Sequence, residues 1–205
     1  EGVVLPLVAL PKTVLAAAAI CRIGKKTIIL AAQREWLDGF YETFCGSETQ
    51  KALTDAKKTK IGFAKTWEEF NKYDVCMVTY QTFRSERGQK LLARVRDLFS
   101  VAVIDEVHMV GATNFAICIS RLNVQYRIGL SGTPTRKDQK HVLVNALVGP
   151  IIYNAKVDRL RPTVRLVRTQ YVKNYKGSVL WTTMVSSLEK DPKRLKLIAE
   201  WAIRD

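Results

Sequence analysis

The sequence predicts an α/β fold, a parallel sheet flanked by helices on both faces, and three observations carry that prediction. Short β-branched runs alternate with longer segments of helical period, the order expected of strand–helix–strand units. The runs are apolar at successive positions, as in strands buried on both faces. Finally, 205 residues with 47% apolar and 25% charged content suffice to bury roughly 70% of the extended chain's surface in a single core.

Taken in order, GVVL (2–5), KTIILAA (26–32), DVCMVTY (74–80), SVAVIDE (100–106) and YRIGLSGT (126–133) read as strands. TVLAAAAICRI (13–23), REWLDGFYETF (34–44), QTFRSERGQKLLARVRDLF (81–99) and ATNFAICISRL (112–122) read as helices between them. Residues 46–72 are polar and Lys-rich and read as a surface excursion, with a short strand at KIGF (60–63). The pattern changes after Pro150: IIYNA, TVRLVRTQYV (163–172), a KNYKGS turn, then a Lys-rich helix over 191–205. That helix stays amphipathic to its last residue without a cap, which predicts a natural protein continuing beyond Asp205. The absence of an initial Met leaves room for residues upstream of Glu1.

Charge and cysteine usage narrow the class. With 33 Lys and Arg against 19 Asp and Glu the formal charge is +14, which favours a polyanionic partner, nucleic acid before an anionic membrane surface. The longest uncharged apolar run, Val14 to Cys21, is eight residues, far short of the ~20 that cross a bilayer, so no membrane span is expected, and the N-terminal stretch lacks the order of a secretory signal. Cys21, Cys45, Cys76 and Cys118 form no CxxC pair, against metal ligation or a disulfide framework. Cys21, Cys76 and Cys118 sit among apolar neighbours, where a thiol behaves as a small buried hydrophobe, and the compartment expected is reducing and intracellular.

Two segments carry chemistry. In VAVIDEVH (101–108) an apolar strand delivers Asp105 and Glu106 to its carboxyl end, the edge at which open α/β sheets bind ligands. Asp105 suits a hydrated Mg²⁺, which prefers one or two carboxylates plus phosphate oxygens, and Glu106 suits polarising an attacking water. The pair equally suits capping a following helix. In GLSGTPTRKD (129–138), Ser131 and Thr133 stand at strand-edge spacing, from which they could hydrogen-bond the DEVH segment. An ordinary Ser-Gly-Thr-Pro turn is the alternative.

Together, Val-Ile-Asp-Glu-Val-His and Gly-Leu-Ser-Gly-Thr-Pro-Thr-Arg resemble motifs II and III of the DExH-type superfamily 2 helicases. KKTIILAAQREWLDGFYETF (25–44) resembles motif Ia with its helix, and VTYQTF (78–83) the family's Thr-Tyr-Gln segment. YRIGLSGTPTRKDQKHVLVNALVGPIIY (126–153) resembles the branch holding phage recombination, large-DNA-virus and transcription-repair helicases.

The resemblance covers about residues 2–172. It implies a RecA-like (P-loop NTPase) domain binding ATP and Mg²⁺, an ATP-dependent helicase with DNA favoured over RNA as partner. Residues 173–205 would lead toward a second RecA-like domain that the chain lacks, so strand separation by this chain alone is not expected. On the resemblance, Lys12 and Thr13 bind the nucleotide; Asp105 and Thr13 hold Mg²⁺; Glu106 orients water; His108, Ser131 and Thr133 couple the site to the second domain; and Gln33, Arg34, Thr79, Gln81 and Arg84 face nucleic acid.

The chain departs from the family at VVLPLVALPKTVLA (3–16). Lys12-Thr13 stand where the phosphate loop's Lys and Ser/Thr belong, but its glycines are absent and Pro11 removes an N–H donor. Either the loop is degenerate, with a weak ATP site, or its residues are altered from a working loop, or the junction has no phosphate role. The rival function is a non-hydrolysing nucleic-acid-binding or assembly subunit with the same fold.

Overall fold

A computed structural model describes residues 2–5, 12–47, 52–53, 59–111, 113–132, 141–154, 173–174 and 180–203. The chain divides into two compact units, 1–158 and 159–205. In the first, seven strands, β1 (Gly2–Leu5), β2 (Thr27–Ala31), β3 (Ile61–Phe63), β4 (Val75–Thr79), β5 (Val101–Ile104), β6 (Tyr126–Leu130) and β7 (Ile151–Asn154), form one sheet in the order β3-β4-β2-β5-β6-β1-β7. Every pairing is parallel, so all carboxyl ends lie along one edge. The helices are α1 (Lys12–Ile23), α2 (Arg34–Cys45), α3 (Trp67–Lys72), α4 (Glu86–Val95), α5 (Thr113–Arg121) and α6 (His141–Leu147), with 3₁₀ turns at Tyr80–Phe83 and Val107–Gly111.

β2 and β5 are buried at every position, and β4 at every position but Thr79, because both faces are covered. Ile28 and Leu30 of β2 point into a core with Cys76, Val78, Ala102 and Ile104 and with Phe70, Leu92, Ile119 and Val144 from α3 to α6. Ile29 and Ala31 point the other way, with Met77 and Val103, onto Ala16, Ala17 and Ile20 of α1 and Leu37, Phe40 and Phe44 of α2. Each fully buried Phe or Leu here contributes roughly 1.5–3 kcal/mol, and a one-residue register slip would exchange the two cores.

The chain moves from β1 to β2 to β3 toward one end of the sheet through helices on the α1/α2 face, then reverses and returns through helices on the other face. Crossovers of one fixed hand require that change of face. Neighbouring strands whose chains leave to opposite faces open a crevice at their carboxyl ends. This happens where β1 adjoins β6, and again where β2 lies between β4 and β5.

Several boundaries differ from the sequence reading. The helix expected over 81–99 is a 3₁₀ turn followed by α4, because the Ser85 hydroxyl accepts the Gly88 N–H at 3.1 Å and starts a new helix there. Gly88 is required at this point: a Cβ would lie 2.2 Å from the Thr82 carbonyl oxygen. Residues 46–72 are not all surface. Phe70 and Ala64 are buried, since β3 adds an edge strand and a Thr66–Glu69 capping box starts α3. Cys21, expected inside, is exposed, while Cys76 and Cys118 are buried; all four cysteines are free. Burial pushes the Cys76 and Cys118 thiols up to about 12, so they are inert packing groups.

In the second unit the helix predicted over 191–205 is α8 (Pro192–Ile203) in its described part, and a further helix, α7 (Trp181–Glu189), which the sequence reading did not predict, precedes it. Asp191 sits at the junction: its Oδ1 accepts the N–H groups of Lys193 and Arg194, and its Oδ2 accepts the Lys173 ammonium at 2.8 Å. Pro192 supplies the fixed φ favoured at a first helical position. Trp181 is exposed. The predicted strand at 163–172 lies outside the described residues. Among the described residues no helix is long and apolar enough to cross a membrane.

Candidate nucleotide and nucleic-acid sites

β5 ends at Ile104, and one more sheet-like hydrogen bond, from the Asp105 N–H to the Leu30 carbonyl at 2.9 Å, holds the next residue at the strand's carboxyl end. The backbone then turns sharply. Glu106 has φ of 46°, the one non-glycine residue in the left-handed region among the described residues, and its carbonyl accepts the Met109 N–H at 2.9 Å. A Glu held in this region is strained; the turn aims its carboxylate at the first residue of α1. Glu106 Oε1 accepts the Lys12 ammonium, and Oε2 lies 3.1 Å from His108 Nδ1.

His108 Nδ1 also lies 3.1 Å from the hydroxyl of Ser131, which follows β6 and is fully buried. An N–H at Nδ1 serves both acceptors. The approach depends on Gly129, where a Cβ would meet Val107 Cγ2 at 2.9 Å. Burial pushes the Asp105 carboxyl up to about 6, opposed by the Lys12 ammonium and aided by the Glu106 carboxylate. One cation and two carboxylates thus converge at the β1/β5/β6 end of the edge, with the lower-dielectric position given to Asp105.

Lys12, Asp105, Glu106, His108 and Ser131, chosen from widely separated stretches of sequence, therefore form one cluster. Thr13 is the second residue of α1 and partly buried. Thr133 and residues 6–11 lie outside the described residues.

The second group gathers at the β2/β4 crevice. Thr79 ends β4, and the Gln81 side-chain amide donates to the Ala32 carbonyl at 2.7 Å, tying the 3₁₀ turn to the end of β2. Gln33 is exposed at the N-cap of α2 without a capping bond from its side chain. Arg34 stacks its guanidinium over Phe63, 3.1 Å from the ring centroid, with Nε donating to Asp38 Oδ1 at 3.1 Å. Arg34, Phe63, Lys65, Thr79 and Thr82 line a cleft of about 100 Å³. Arg84 is exposed just beyond the 3₁₀ turn.

Sequence reasoning missed Tyr80, buried between the two groups with its ring 4.2 Å from Phe115. Its hydroxyl has no hydrogen-bond partner among the described residues; burial, then the Cys118 thiol and the Asp105 carboxylate, hold it well above the usual phenol range. It also missed the basic face of α4.

The fold agrees with comparison to known proteins. Residues 11–136 match the family model described as type III restriction enzyme, res subunit. The chain is 34% identical over 128 residues, 60% of its length and 26% of the relative's, to the DNA 3'-5' translocase XPB2 of Sulfurisphaera tokodaii. It is 24% identical over 166 residues, 78% of its length and 21% of the relative's, to the general transcription and DNA repair factor IIH helicase/translocase subunit XPB of Danio rerio. The chain therefore spans about a quarter of the length of these relatives.

Two solved structures share the fold. The Pyrococcus furiosus Hef helicase domain matches with a TM-score of 0.57 at 20% identity, covering 75% of this chain and 34% of that one. A hypothetical ATP-dependent RNA helicase from Sulfolobus tokodaii matches with a TM-score of 0.53 at 15% identity, covering 74% and 47%. With a RecA-like sheet and a family match over more than half its residues, the chain belongs to the type III restriction enzyme res-subunit family of superfamily 2 helicase domains and is homologous to the XPB helicases.

Proposed function

We propose that this chain is the ATP-binding, nucleic-acid-gripping motor domain of an intracellular ATP-dependent helicase or translocase, acting on DNA. The observation that carries the reading is the Lys12–Glu106 ion pair at the carboxyl edge of the sheet, beside Asp105. The donor set suits a nucleotide with Mg²⁺: an ammonium at a helix start, a hydroxyl next to it, and a carboxylate whose raised pKa a nearby divalent cation would reverse.

When bound, ATP would supply the phosphoanhydride bond whose hydrolysis drives the motor, with Mg²⁺ neutralising phosphate charge. Lys12 would leave Glu106 to meet the phosphates, Thr13 and Asp105 would hold the cation, and Glu106, released from Lys12, would orient water. His108, bridging Glu106 and Ser131, together with Thr133, would pass the state of the site toward a second RecA-like domain, to which residues 173–205 lead. Gln33, Arg34, Thr79 and Gln81 would contact the nucleic-acid backbone.

The rival, a non-hydrolysing binding or assembly subunit, is favoured by one observation: Leu10 and Pro11 occupy the turn before Lys12, with Pro11 at the place of the phosphate loop's last glycine. A magnesium-ATP titration separates the two. Saturable binding that weakens about a hundredfold in Lys12→Ala, the loss of a charged hydrogen bond, supports the motor. No binding to wild type at millimolar ATP leaves the subunit.

A further inference from the structure

Between α3 and α4 lies a second, larger cleft of about 420 Å³, lined by Lys65, Trp67, Arg87, Lys90 and Arg94 with Thr82 and Ser85. It shares Lys65 and Thr82 with the smaller cleft at Arg34 and Thr79, so the two adjoin just beyond the ends of β3 and β4. Arg87, Lys90 and Arg94 stand at i, i+3 and i+7 on α4, one face of a helix, and span about 10 Å along its axis. Arg94 is held over the Trp67 ring at 4.6 Å, which fixes its guanidinium on the cleft wall. Lys90 pairs with Glu86 at 2.7 Å, both largely exposed. The Arg87 guanidinium has no hydrogen bond or ion pair among the described residues. Against these four cations the lining offers one acid, Glu68.

We infer that this cleft is a second phosphate-binding station for a nucleic-acid strand, in which Lys65, Arg87 and Arg94 hold successive backbone phosphates after the strand leaves the Arg34–Thr79 crevice. The inference rests on the nucleic-acid reading above and extends it by one cleft. Its chemistry is sequence-tolerant: guanidinium groups pair with phosphate oxygens, and Trp67, with one face under Arg94, stiffens the wall. A strand too short to reach past Thr82 gains nothing from it.

The test is anisotropy titration of the 205-residue chain with a 20-nucleotide oligothymidylate across a salt series, for wild type, Arg87→Glu and Arg87→Lys. Arg87 is exposed, so neither substitution disturbs the core, and equal melting temperatures check this. The station predicts that Arg87→Glu weakens binding at least tenfold and lowers the salt slope by about one, with Arg87→Lys close to wild type. Wild type binding the strand while Arg87→Glu matches it in affinity and slope overturns the station and leaves the first crevice intact. If wild type binds no oligonucleotide at low salt, the nucleic-acid reading itself fails and the station falls with it.

Discussion

The two ends of one sheet edge solve different problems. At the β1/β5/β6 end, one lysine, two carboxylates, a histidine and a serine are drawn partly out of water: Lys12 and Glu106 are each 22% exposed, Ser131 is fully buried, and Asp105 is pushed to about 6. At the β3/β4/β2 end, cations outnumber acids and stay wet; Arg34 and Asp38 are 48% and 50% exposed. Few desolvated charges give selectivity and a pH dependence, because each must be matched. Many solvated charges give affinity that salt can tune.

The largest effect expected from this contrast belongs to Asp105. Its folded pKa of about 6 lies above the ordinary 3.8, so between those values the native chain binds the extra proton. Stability therefore falls as pH rises through that window and is constant above about 6, by up to about 3 kcal/mol. Asp105→Asn should remove this loss, read as a flatter melting temperature between pH 4 and 7. Magnesium-ATP affinity should change the opposite way in wild type, rising with pH to a plateau above 6, since the cation needs the ionised carboxylate. A melting curve indifferent to Asp105→Asn across that range would place the carboxylate in water and erase the distinction between the ends.

Next is the response to salt. With about five cations facing a strand, affinity for an oligonucleotide should fall about a hundredfold between 50 and 200 mM salt. Magnesium-ATP affinity, governed by partly buried partners, should change only a few-fold. Parallel slopes for the two ligands, measured on one preparation, would mean that both ends bind through solvated charge alone.

What the sequence disclosed follows the same division. The strands were legible because burial on both faces leaves an unbroken apolar run, and Asp105, Glu106 and His108 because they interrupt one. The meeting of His108 with Ser131, 23 residues apart, was legible in part: strand-edge spacing brought Ser131 to the DEVH segment, and the resemblance singled out His108 within it. The α4 cleft was not legible: Arg87, Lys90 and Arg94 share a face of any helix through 86–95, but that face meets Lys65 and Trp67 only through the packing of α4 beside α3. Residues 46–72 misled because polar side chains outnumber the few, Ala64 and Phe70, that reach the core.

The smallest effect concerns Arg34. Its contacts are a guanidinium over Phe63 and an exposed i,i+4 pair with Asp38. Such a cation–π contact stabilises by about 0.5–1 kcal/mol at an exposed site, and the ion pair adds a few tenths. Arg34→Met keeps an unbranched apolar stem to cover the ring, so the chain should lose less than about 1 kcal/mol in urea unfolding. Oligonucleotide affinity should fall several-fold, with the salt slope reduced by about one. That split, binding lost with folding nearly kept, is what a solvated cation at this end should give. A substitution that instead costs well over about 1 kcal/mol of stability, while the still-folded chain keeps its affinity and salt slope, would show Arg34 to be part of the packing around Phe63, and the β2/β4 crevice would lose its first phosphate contact.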